Sequence, residues 1–164
     1  MPMVQFVEIS DADFKMWEEA AIADYALEKV KAGNDAVSPD RAREEFTSLL
    51  PQGKSTRNNF VYSIVDEKDN ERRVGIIWYA VDSQHFPRNT VFIYDIVIDE
   101  DMRGKGYGRA SLLLLEDRAR ALGKQRMALH VFGHNERARR LYEELGYRPA
   151  SIMMAKELHP FSVD

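Results

Sequence analysis

One stretch limits what this chain can fold into. Residues 94–109 run from an apolar segment through a short acidic turn into a glycine-rich loop. Gly104, Gly106 and Gly108 leave the loop without side chains that would keep a ligand away from its backbone N–H groups. An amphipathic pattern begins directly after the loop, so these N–H groups would lie at a helix N-terminus, which favours phosphate and pyrophosphate. The stretch therefore predicts a strand, an anion-binding loop and a helix in succession.

Length and composition favour one globular domain. The chain has 164 residues, of which 45% are hydrophobic and 30% charged. It has no cysteine, which excludes disulfides and thiolate nucleophiles. The net charge of −4 argues against a general nucleic-acid binder. The N-terminus does not resemble a signal peptide, and no apolar run reaches the roughly 20 residues of a membrane helix. We therefore expect a cytoplasmic protein that binds neither membranes nor nucleic acid.

Hydrophobic periodicity predicts the element order β α α β β β α β α β. Antiparallel hairpins come before a strand–loop–helix–strand crossover, which predicts a mixed sheet with helices on both faces. Gly33-Asn34 is expected to end the first helix. Strands are predicted over residues 3–9, 60–65, 74–81, 90–98, 124–132 and 151–158, and helices over residues 10–33, 38–50, 109–122 and 135–146.

Two common nucleotide-binding motifs fit the glycine-rich loop poorly. The phosphate-binding loop G-x-x-x-x-G-K-[S/T] needs a Lys-Ser or Lys-Thr pair after its last glycine, and none follows at that spacing. The dinucleotide motif G-x-G-x-x-G would need its third glycine at Arg109. That motif also belongs near the start of a parallel sheet, whereas four predicted strands come before this loop.

The segment Arg103-Gly-Lys-Gly106-Tyr-Gly108 instead fits the pattern R/Q-x-x-G-x-G/A. A second segment, residues 135–147, fits N-x-x-A-x-x-L-Y-x-x-x-G-F/Y. These patterns are the pyrophosphate loop and the closing signature of the Gcn5-related N-acetyltransferases (GNAT), a family that the chain resembles over nearly its whole length. Within that family it is most similar to small bacterial members of unknown substrate.

The resemblance implies the GNAT fold, an α/β domain over residues 1–164 with a mixed, mostly antiparallel sheet flanked by helices. It places an acetyl-CoA-binding core at residues 90–147. A variable helical pair at residues 10–50 would form the acceptor side. The coenzyme would lie in a cleft where the strands at 90–98 and 124–132 splay apart. Acetyl-CoA is thus the implied co-substrate, and no metal is implied.

The resemblance also assigns residues to the coenzyme. Strand backbone would pair with the pantetheine arm, as an added strand would, and loop N–H groups would wrap the pyrophosphate. Asn135 is in addition a good helix N-cap. Arg137, Arg139 and Arg140 suit either the 3′-phosphate or a solvated helix face. The residues assigned to the coenzyme are Ile96, Val97, Ile98, Arg103, Gly104, Lys105, Gly106, Tyr107, Gly108, Arg109, Asn135, Ala138 and Tyr142.

Tyr142 is the candidate for assisting departure of the thiolate, because a phenol stays protonated at neutral pH and can donate to the sulfur. The alternative is a core tyrosine on the apolar helix face. His130 and Asp95 are the two candidate bases for deprotonating the acceptor ammonium, unless an already neutral amine attacks without a base. His130 and His134 do not share a helical face, which argues against a metal site.

The sequence therefore predicts an N-acetyltransferase that transfers acetyl from acetyl-CoA to a primary amine. Direct attack in a ternary complex is expected, because no cysteine can carry the acyl group. The acceptor is a small amine or a peptide or protein amine, and the chain a monomer or homodimer. Transfer of another acyl group, and a non-catalytic acyl-CoA sensor or interaction module, remain as alternatives.

Overall fold

A computed structural model of the chain describes residues 1–33 and 38–161. Within these ranges the chain forms strands β1 (Val4–Glu8), β2 (Asn59–Asp66), β3 (Asp69–Val81), β4 (Thr90–Ile98) and β5 (Arg126–Leu129), helices α1 (Asp11–Lys31), α2 (Pro39–Leu49), α3 (Tyr107–Ala121) and α4 (Glu136–Glu144), and short 3-10 turns at Gly53–Ser55 and Glu100–Met102. Asn34, expected at the end of the first helix, lies outside the described residues. No described helix combines the length and the apolar character needed to cross a membrane.

Side chains at the helix starts stabilise the elements that the sequence predicts. Ser10 accepts a hydrogen bond from the backbone N–H of Asp13 at 3.1 Å, which caps α1. Ser38 caps α2 through the N–H of Arg41 at 3.2 Å, with Pro39 in the first helical turn. The predicted order of the first nine elements is confirmed.

The strands form one sheet in the order β1-β2-β3-β4-β5. The first three pairings are antiparallel, and β4 pairs with β5 in parallel across the α3 crossover. This is the predicted mixed, mostly antiparallel sheet. One irregularity was not foreseen: Trp78 pairs with Asp95 but Tyr79 pairs with Ile93, so Tyr94 is an extra residue in β4. Such a bulge bends its strand and increases the local twist.

Each face of the sheet has its own apolar core. Helix α3 covers one face with Leu112 and Leu115, which are buried against strand residues such as Ile77 and Val91. Helices α1 and α2 cover the other face, where Trp17 and other aromatic side chains pack together. The helices therefore flank the sheet on both faces, as the sequence predicts.

The prediction of a last strand at residues 151–158 is wrong. Residues 151–158 have no regular secondary structure and their side chains are exposed. The fifth strand is also shorter than predicted, since it ends at Leu129 and not at Phe132. Alternating apolar residues give a segment the side chains of a strand, but a strand also needs a neighbour for its backbone N–H and C=O groups. In the described chain the segment has no such neighbour.

Candidate active site

A cleft opens between β4 and β5 because the two strands pair over only part of their length. The pairing runs from Thr90 and Arg126 to Ile93 and Leu129, where β5 ends. Strand β4 continues for five more residues, to Ile98. The bulge at Tyr94 lies where the strands part, so the bend it causes accounts for their divergence. The β4 backbone over residues 95–98 thus has β3 on one side and, among the described residues, no strand on the other.

Gly75 fixes this part of β4 from the β3 side. It pairs with Ile98, and a Cβ atom at Gly75 would lie only 2.3 Å from the backbone oxygen of Val97. Only glycine therefore allows β3 to approach β4 this closely. The sequence alone does not single out Gly75, because a lone glycine within a strand pattern indicates close backbone approach without identifying the neighbouring strand.

The glycine-rich loop follows β4 and starts α3. Gly104 and Gly106 have φ angles of +74° and +88°, a region that favours glycine. The N–H of Ala110 donates to the backbone oxygen of Gly106 at 3.0 Å. The preceding N–H groups of residues 107–109 belong to the first helical turn and have no acceptor within the helix. With the positive end of the helix dipole, such N–H groups favour an anion, and the binding of a pyrophosphate there stays a prediction.

The side chains of the loop are engaged with the fold, so the backbone is what the loop presents. The Arg103 Nε donates to the backbone oxygen of Ile98 at 2.9 Å. The buried Tyr107 donates its hydroxyl to Asp66 Oδ2 at 2.6 Å, which ties the start of α3 to the end of β2. Lys105 Nζ lies 3.8 Å from the sulfur of Met102.

Arg109 forms an ion pair with Glu144 of α4. Close beside it, a Cβ atom at Gly108 would lie 3.5 Å from Leu141 Cδ2, so α4 packs directly against the first turn of α3. These contacts hold the closing segment of the sequence next to the glycine-rich loop. The two motifs that are most informative in the sequence are thus neighbours in the fold.

Asp95 lies on β4 at the opening of the cleft and contacts α1. Its Oδ2 accepts a hydrogen bond of 2.9 Å from the indole N–H of the buried Trp17. Burial raises the pKa of Asp95 to about 6, the Trp17 hydrogen bond opposes that rise, and the negative charge of Asp24 adds to it. A carboxyl with this pKa can accept a proton near neutral pH.

Tyr142 comes to the same opening from α4. Burial, with the negative charge of Asp95 as a second cause, raises the pKa of Tyr142 to about 12. The phenol is therefore a hydrogen-bond donor at any physiological pH. Its ring packs edge-on against Tyr147, with 5.6 Å between ring centroids. Tyr142 and Asp95, two of the three predicted catalytic residues, are thus close enough for the charge of one to raise the pKa of the other.

His130, the third, is placed differently. It is exposed one residue beyond the end of β5, with its ring 4.9 Å from that of Phe132 and no hydrogen bond among the described residues. Asn135 caps α4, where its side-chain oxygen accepts from the N–H of Ala138 at 3.2 Å. The capping role predicted for Asn135 is confirmed, whereas its contact with a ligand stays a prediction.

Two side-chain pairs join α1 to the cleft, and sequence analysis identified neither. The hydrogen bond from Trp17 to Asp95 spans 78 positions of the chain. The His134 side chain is in hydrogen-bond contact with Glu28 of α1 across 106 positions. No local pattern connects residues so far apart. Among the described residues, no group of three or more histidine and carboxylate side chains is arranged to hold a metal ion.

The chain matches one protein-family model. Residues 15–147 fit the model described as the Acetyltransferase (GNAT) family. The matched range contains most of α1, the strands of the cleft, the glycine-rich loop and α4. It therefore includes every residue assigned above to the coenzyme or to catalysis.

Similar proteins carry related names. The chain is 35% identical to "Uncharacterized N-acetyltransferase YycN" of Bacillus subtilis, over 94% of this chain and 99% of that protein. It is 31% identical to "Uncharacterized N-acetyltransferase YdgE" of the same organism, over 92% and 96%. The crystal structure of the putative acetyltransferase YycN superposes with a TM-score of 0.86 at 32% identity, covering 96% of this chain and 100% of that one.

Proposed function

The chain belongs to the GNAT acetyltransferase family, and we propose that it transfers the acetyl group of acetyl-CoA to a primary amine by direct attack in a ternary complex. Acetyl-CoA is the usual donor in this family. One observation carries the proposal: Asp95 lies on β4 where β4 and β5 part, close enough to Tyr142 for its charge to raise the pKa of the phenol, and β4 leads from there into the glycine-rich loop. A base, a hydrogen-bond donor and a site for a pyrophosphate thus lie along one cleft.

The donor fits this cleft through backbone groups. The free side of β4 over Ile96, Val97 and Ile98 offers N–H and C=O groups to the amides of the pantetheine arm. The N–H groups at the start of α3 would bind the pyrophosphate. Both assignments use backbone rather than side chains, which agrees with the engagement of Arg103, Tyr107 and Arg109 in contacts within the fold.

The acceptor would enter from the α1 side. Asp24 and Glu28 of α1 carry negative charge toward this side of the cleft, since the charge of Asp24 raises the pKa of Asp95 and Glu28 pairs with His134 beside α4. Acidic side chains favour a cationic acceptor, and an amine arrives mostly as ammonium at neutral pH. This charge distribution supports an amine as the acceptor.

The chemical step would begin with loss of a proton from the ammonium to Asp95, directly or through a water molecule. The neutral nitrogen then attacks the thioester carbonyl and a C–N bond forms. As the C–S bond breaks, the sulfur leaves as a thiolate that accepts a hydrogen bond from the Tyr142 hydroxyl, and the remaining extra proton on the nitrogen passes to solvent. With a pKa of about 12, Tyr142 is a weaker acid than a thiol, whose pKa is about 8.5, so hydrogen-bond donation fits better than complete proton transfer.

The test is Tyr142→Phe, with release of the CoA thiol as the readout. The chain has no cysteine, so its own thiols add no background. In a screen of small amines, polyamines and peptides, we expect kcat with the best acceptor to fall about 100-fold. The matched control is Tyr147→Phe, which removes the hydroxyl of the adjacent ring and should leave kcat nearly unchanged. An equal kcat for Tyr142→Phe and the unaltered chain would contradict the role of Tyr142.

The same screen separates the alternatives. Acetyl-CoA binding by calorimetry without thiol release from any acceptor would favour a non-catalytic sensor. Faster release with peptides than with small amines would assign a protein acceptor. Faster thiol release from a longer acyl-CoA than from acetyl-CoA would assign a different acyl group to the same cleft and the same residues.

A further inference from the structure

Part of one sheet face lies outside the helix-covered core, beside the cleft. Helices α1 and α2 bury side chains of β2 and β3, namely Val61, Ile76 and Trp78. Among the described residues, β4 contributes to this core only the half-buried Tyr94, and β5 contributes none. The α1 side of the β4–β5 pair is therefore left for something other than the two helices to contact.

The bulge at Tyr94 puts an aromatic ring and a carboxylate side by side on this face. Successive residues of a regular strand point to opposite faces of the sheet. Here Tyr94 packs against the α1 core, and Asp95 accepts its hydrogen bond from Trp17 of the same core, so both side chains lie on the α1 side. The preceding residue, Ile93, is buried in the α3 core on the other face. The proposed base thus has an aromatic side chain directly beside it.

Phe86 and Phe92 stack on each other next to Tyr94. Their ring centroids lie 3.7 Å apart, and the angle between the two rings is 7°. The Tyr94 ring meets both of them nearly edge-on, with centroid distances of 4.8 Å to Phe92 and 6.1 Å to Phe86. Phe92 belongs to β4, whereas Phe86 belongs to the loop between β3 and β4. We term these three rings the aromatic corner.

The two phenylalanines of the aromatic corner belong to neither apolar core of the described chain, and both are only half-buried. Phe92 pairs in register with Ala128 of β5, whose short side chain leaves space beside the ring. Phenylalanine stabilises a fold mainly through the large area that it buries. A stacked pair that supports neither core and keeps part of its surface exposed is therefore suited to contact with a ligand.

The charges beside the aromatic corner favour an amine as that ligand. Asp95 lies at one end of the corner, and the negative charge of Asp24 acts at the same place. An ammonium group is attracted to carboxylates and also to the faces of aromatic rings. A molecule that joins an ammonium group to a flat apolar group through a short linker can therefore satisfy both ends of this surface.

We propose that the acceptor is a primary amine that carries an aromatic ring on a short alkyl linker, with the ring against Phe86 and Phe92 and the amine beside Asp95. This inference rests on the proposed acetyl transfer and names its substrate class. The aromatic corner binds the acceptor and takes no part in the chemical step. It should therefore determine KM for the amine and leave KM for acetyl-CoA unchanged.

Four amines test this choice of acceptor: phenethylamine, cyclohexylethylamine, butylamine and putrescine. With acetyl-CoA as donor and thiol release as readout, kcat/KM for phenethylamine should exceed that for butylamine by about tenfold or more, because the ring buries apolar surface. Cyclohexylethylamine has similar bulk but no flat aromatic face, and its kcat/KM should be about threefold below that of phenethylamine. Equal values for phenethylamine and butylamine, or the highest value for putrescine, would overturn the proposal and leave acetyl transfer standing.

Phe86 can be replaced without disturbing either core. Phe86→Leu should raise KM for phenethylamine about threefold to tenfold and leave KM for butylamine unchanged, whereas Phe86→Tyr keeps the ring and should keep the preference. Phe60→Leu is the matched control, because Phe60 is also a half-buried ring stacked on another ring, but it packs on the α3 core on the other face. Equal losses for phenethylamine and butylamine in Phe86→Leu would overturn the role of the aromatic corner.

Binding measured without turnover separates this inference from the proposed function. The chain has two tryptophans, of which Trp17 donates to Asp95 and Trp78 stacks on Tyr94 with 4.3 Å between ring centroids. Their indole N–H signals in nuclear magnetic resonance spectra therefore report on both ends of the site. In the CoA-saturated protein, phenethylamine should shift both signals, and Phe86→Leu should raise its dissociation constant about threefold to tenfold.

The two readouts together distinguish the possible failures. Binding of phenethylamine that weakens in Phe86→Leu, without thiol release from any amine, would support the aromatic corner and contradict acetyl transfer. Thiol release from other amines, without binding or turnover of phenethylamine, would support acetyl transfer and overturn the aromatic acceptor. Neither binding nor release with any of the four amines would overturn the aromatic acceptor as well.

Discussion

The two sides of the cleft are built on different principles. The proposed donor side, residues 103–109, presents backbone N–H groups at positive-φ glycines, and its side chains contact other parts of the fold. The proposed acceptor side presents side chains, held by the pairs Trp17–Asp95 and Glu28–His134 that join α1 to the cleft. A site made of backbone groups is sensitive to changes of backbone conformation and little affected by changes of side chain. A site made of side chains is sensitive to the replacement of those side chains. Substitutions on the two sides should therefore differ in the kinetic constant that they change.

The largest effect is expected on the acceptor side, from Asp95→Asn. Loss of the base should lower kcat by about 100-fold or more at pH 7.5 while the affinity for acetyl-CoA stays within a small factor. Steady-state kinetics with calorimetry of coenzyme binding checks both quantities. Asp24→Asn is the control, since it removes a negative charge of α1 that acts on Asp95 without removing the proposed base itself. Equal losses in the two variants would show that charge, and not proton transfer, matters at this site.

The same substitution should stabilise the fold. The pKa of Asp95 is raised from about 3.8 when unfolded to about 6 when folded, so Asp95 increasingly destabilises the native state as the pH rises from about 3.8, and the loss is complete above about 6. Asp95→Asn should therefore raise the free energy of unfolding by up to about 3 kcal/mol at pH 7.5, and by little at pH 4. Urea denaturation at the two pH values measures this difference. A loss of stability at pH 7.5 would mean that the carboxylate is better solvated than its position suggests.

On the donor side we expect a moderate effect on coenzyme binding. Gly106→Ala places a side chain at φ +88° and 3.2 Å from Pro2 Cδ, so the start of α3 must shift. At about 1–2 kcal/mol for a left-handed non-glycine residue, KM for acetyl-CoA should rise about tenfold with kcat nearly constant. Gly104→Ala, at φ +74° with open space around its Cβ position, should raise KM for acetyl-CoA less than Gly106→Ala does.

Gly123→Ala is the matched control for backbone strain. Gly123 has φ +70° and lies just beyond the other end of α3, with nothing within 4 Å of its Cβ position. This substitution should lower stability by a similar amount and leave KM for acetyl-CoA unchanged. If it raised KM as much as Gly106→Ala, the loop would act through the stability of α3 and not through its N–H groups.

The contrast between the two sides also explains what the sequence predicts. The donor side consists of neighbours in the chain, so the glycines, the helix start and the cap at Asn135 follow from local patterns. The bond between Trp17 and Asp95 spans 78 positions and has no local signal. The bulge at Tyr94 could not be predicted, because residues 90–98 are almost continuously apolar and an extra residue does not change such a pattern. The strand at 151–158 was predicted from alternation alone, and alternation does not supply a neighbour.

The smallest and most specific effect is expected from Trp17→Phe. The indole N–H bonded to Asp95 lowers the pKa of that carboxyl, so its loss should raise the pKa above the present value of about 6. More Asp95 would then be protonated at acidic pH, and the acidic limb of the kcat/KM profile should move to higher pH, with a loss of about threefold at pH 6 and almost none at pH 8. Trp78→Phe is the control, because Trp78 lies in the same aromatic cluster but donates its N–H to Asn59. A pH-independent loss in both variants would show that Trp17 contributes packing alone, whereas a shift of the limb in Trp17→Phe only would assign it the positioning of Asp95.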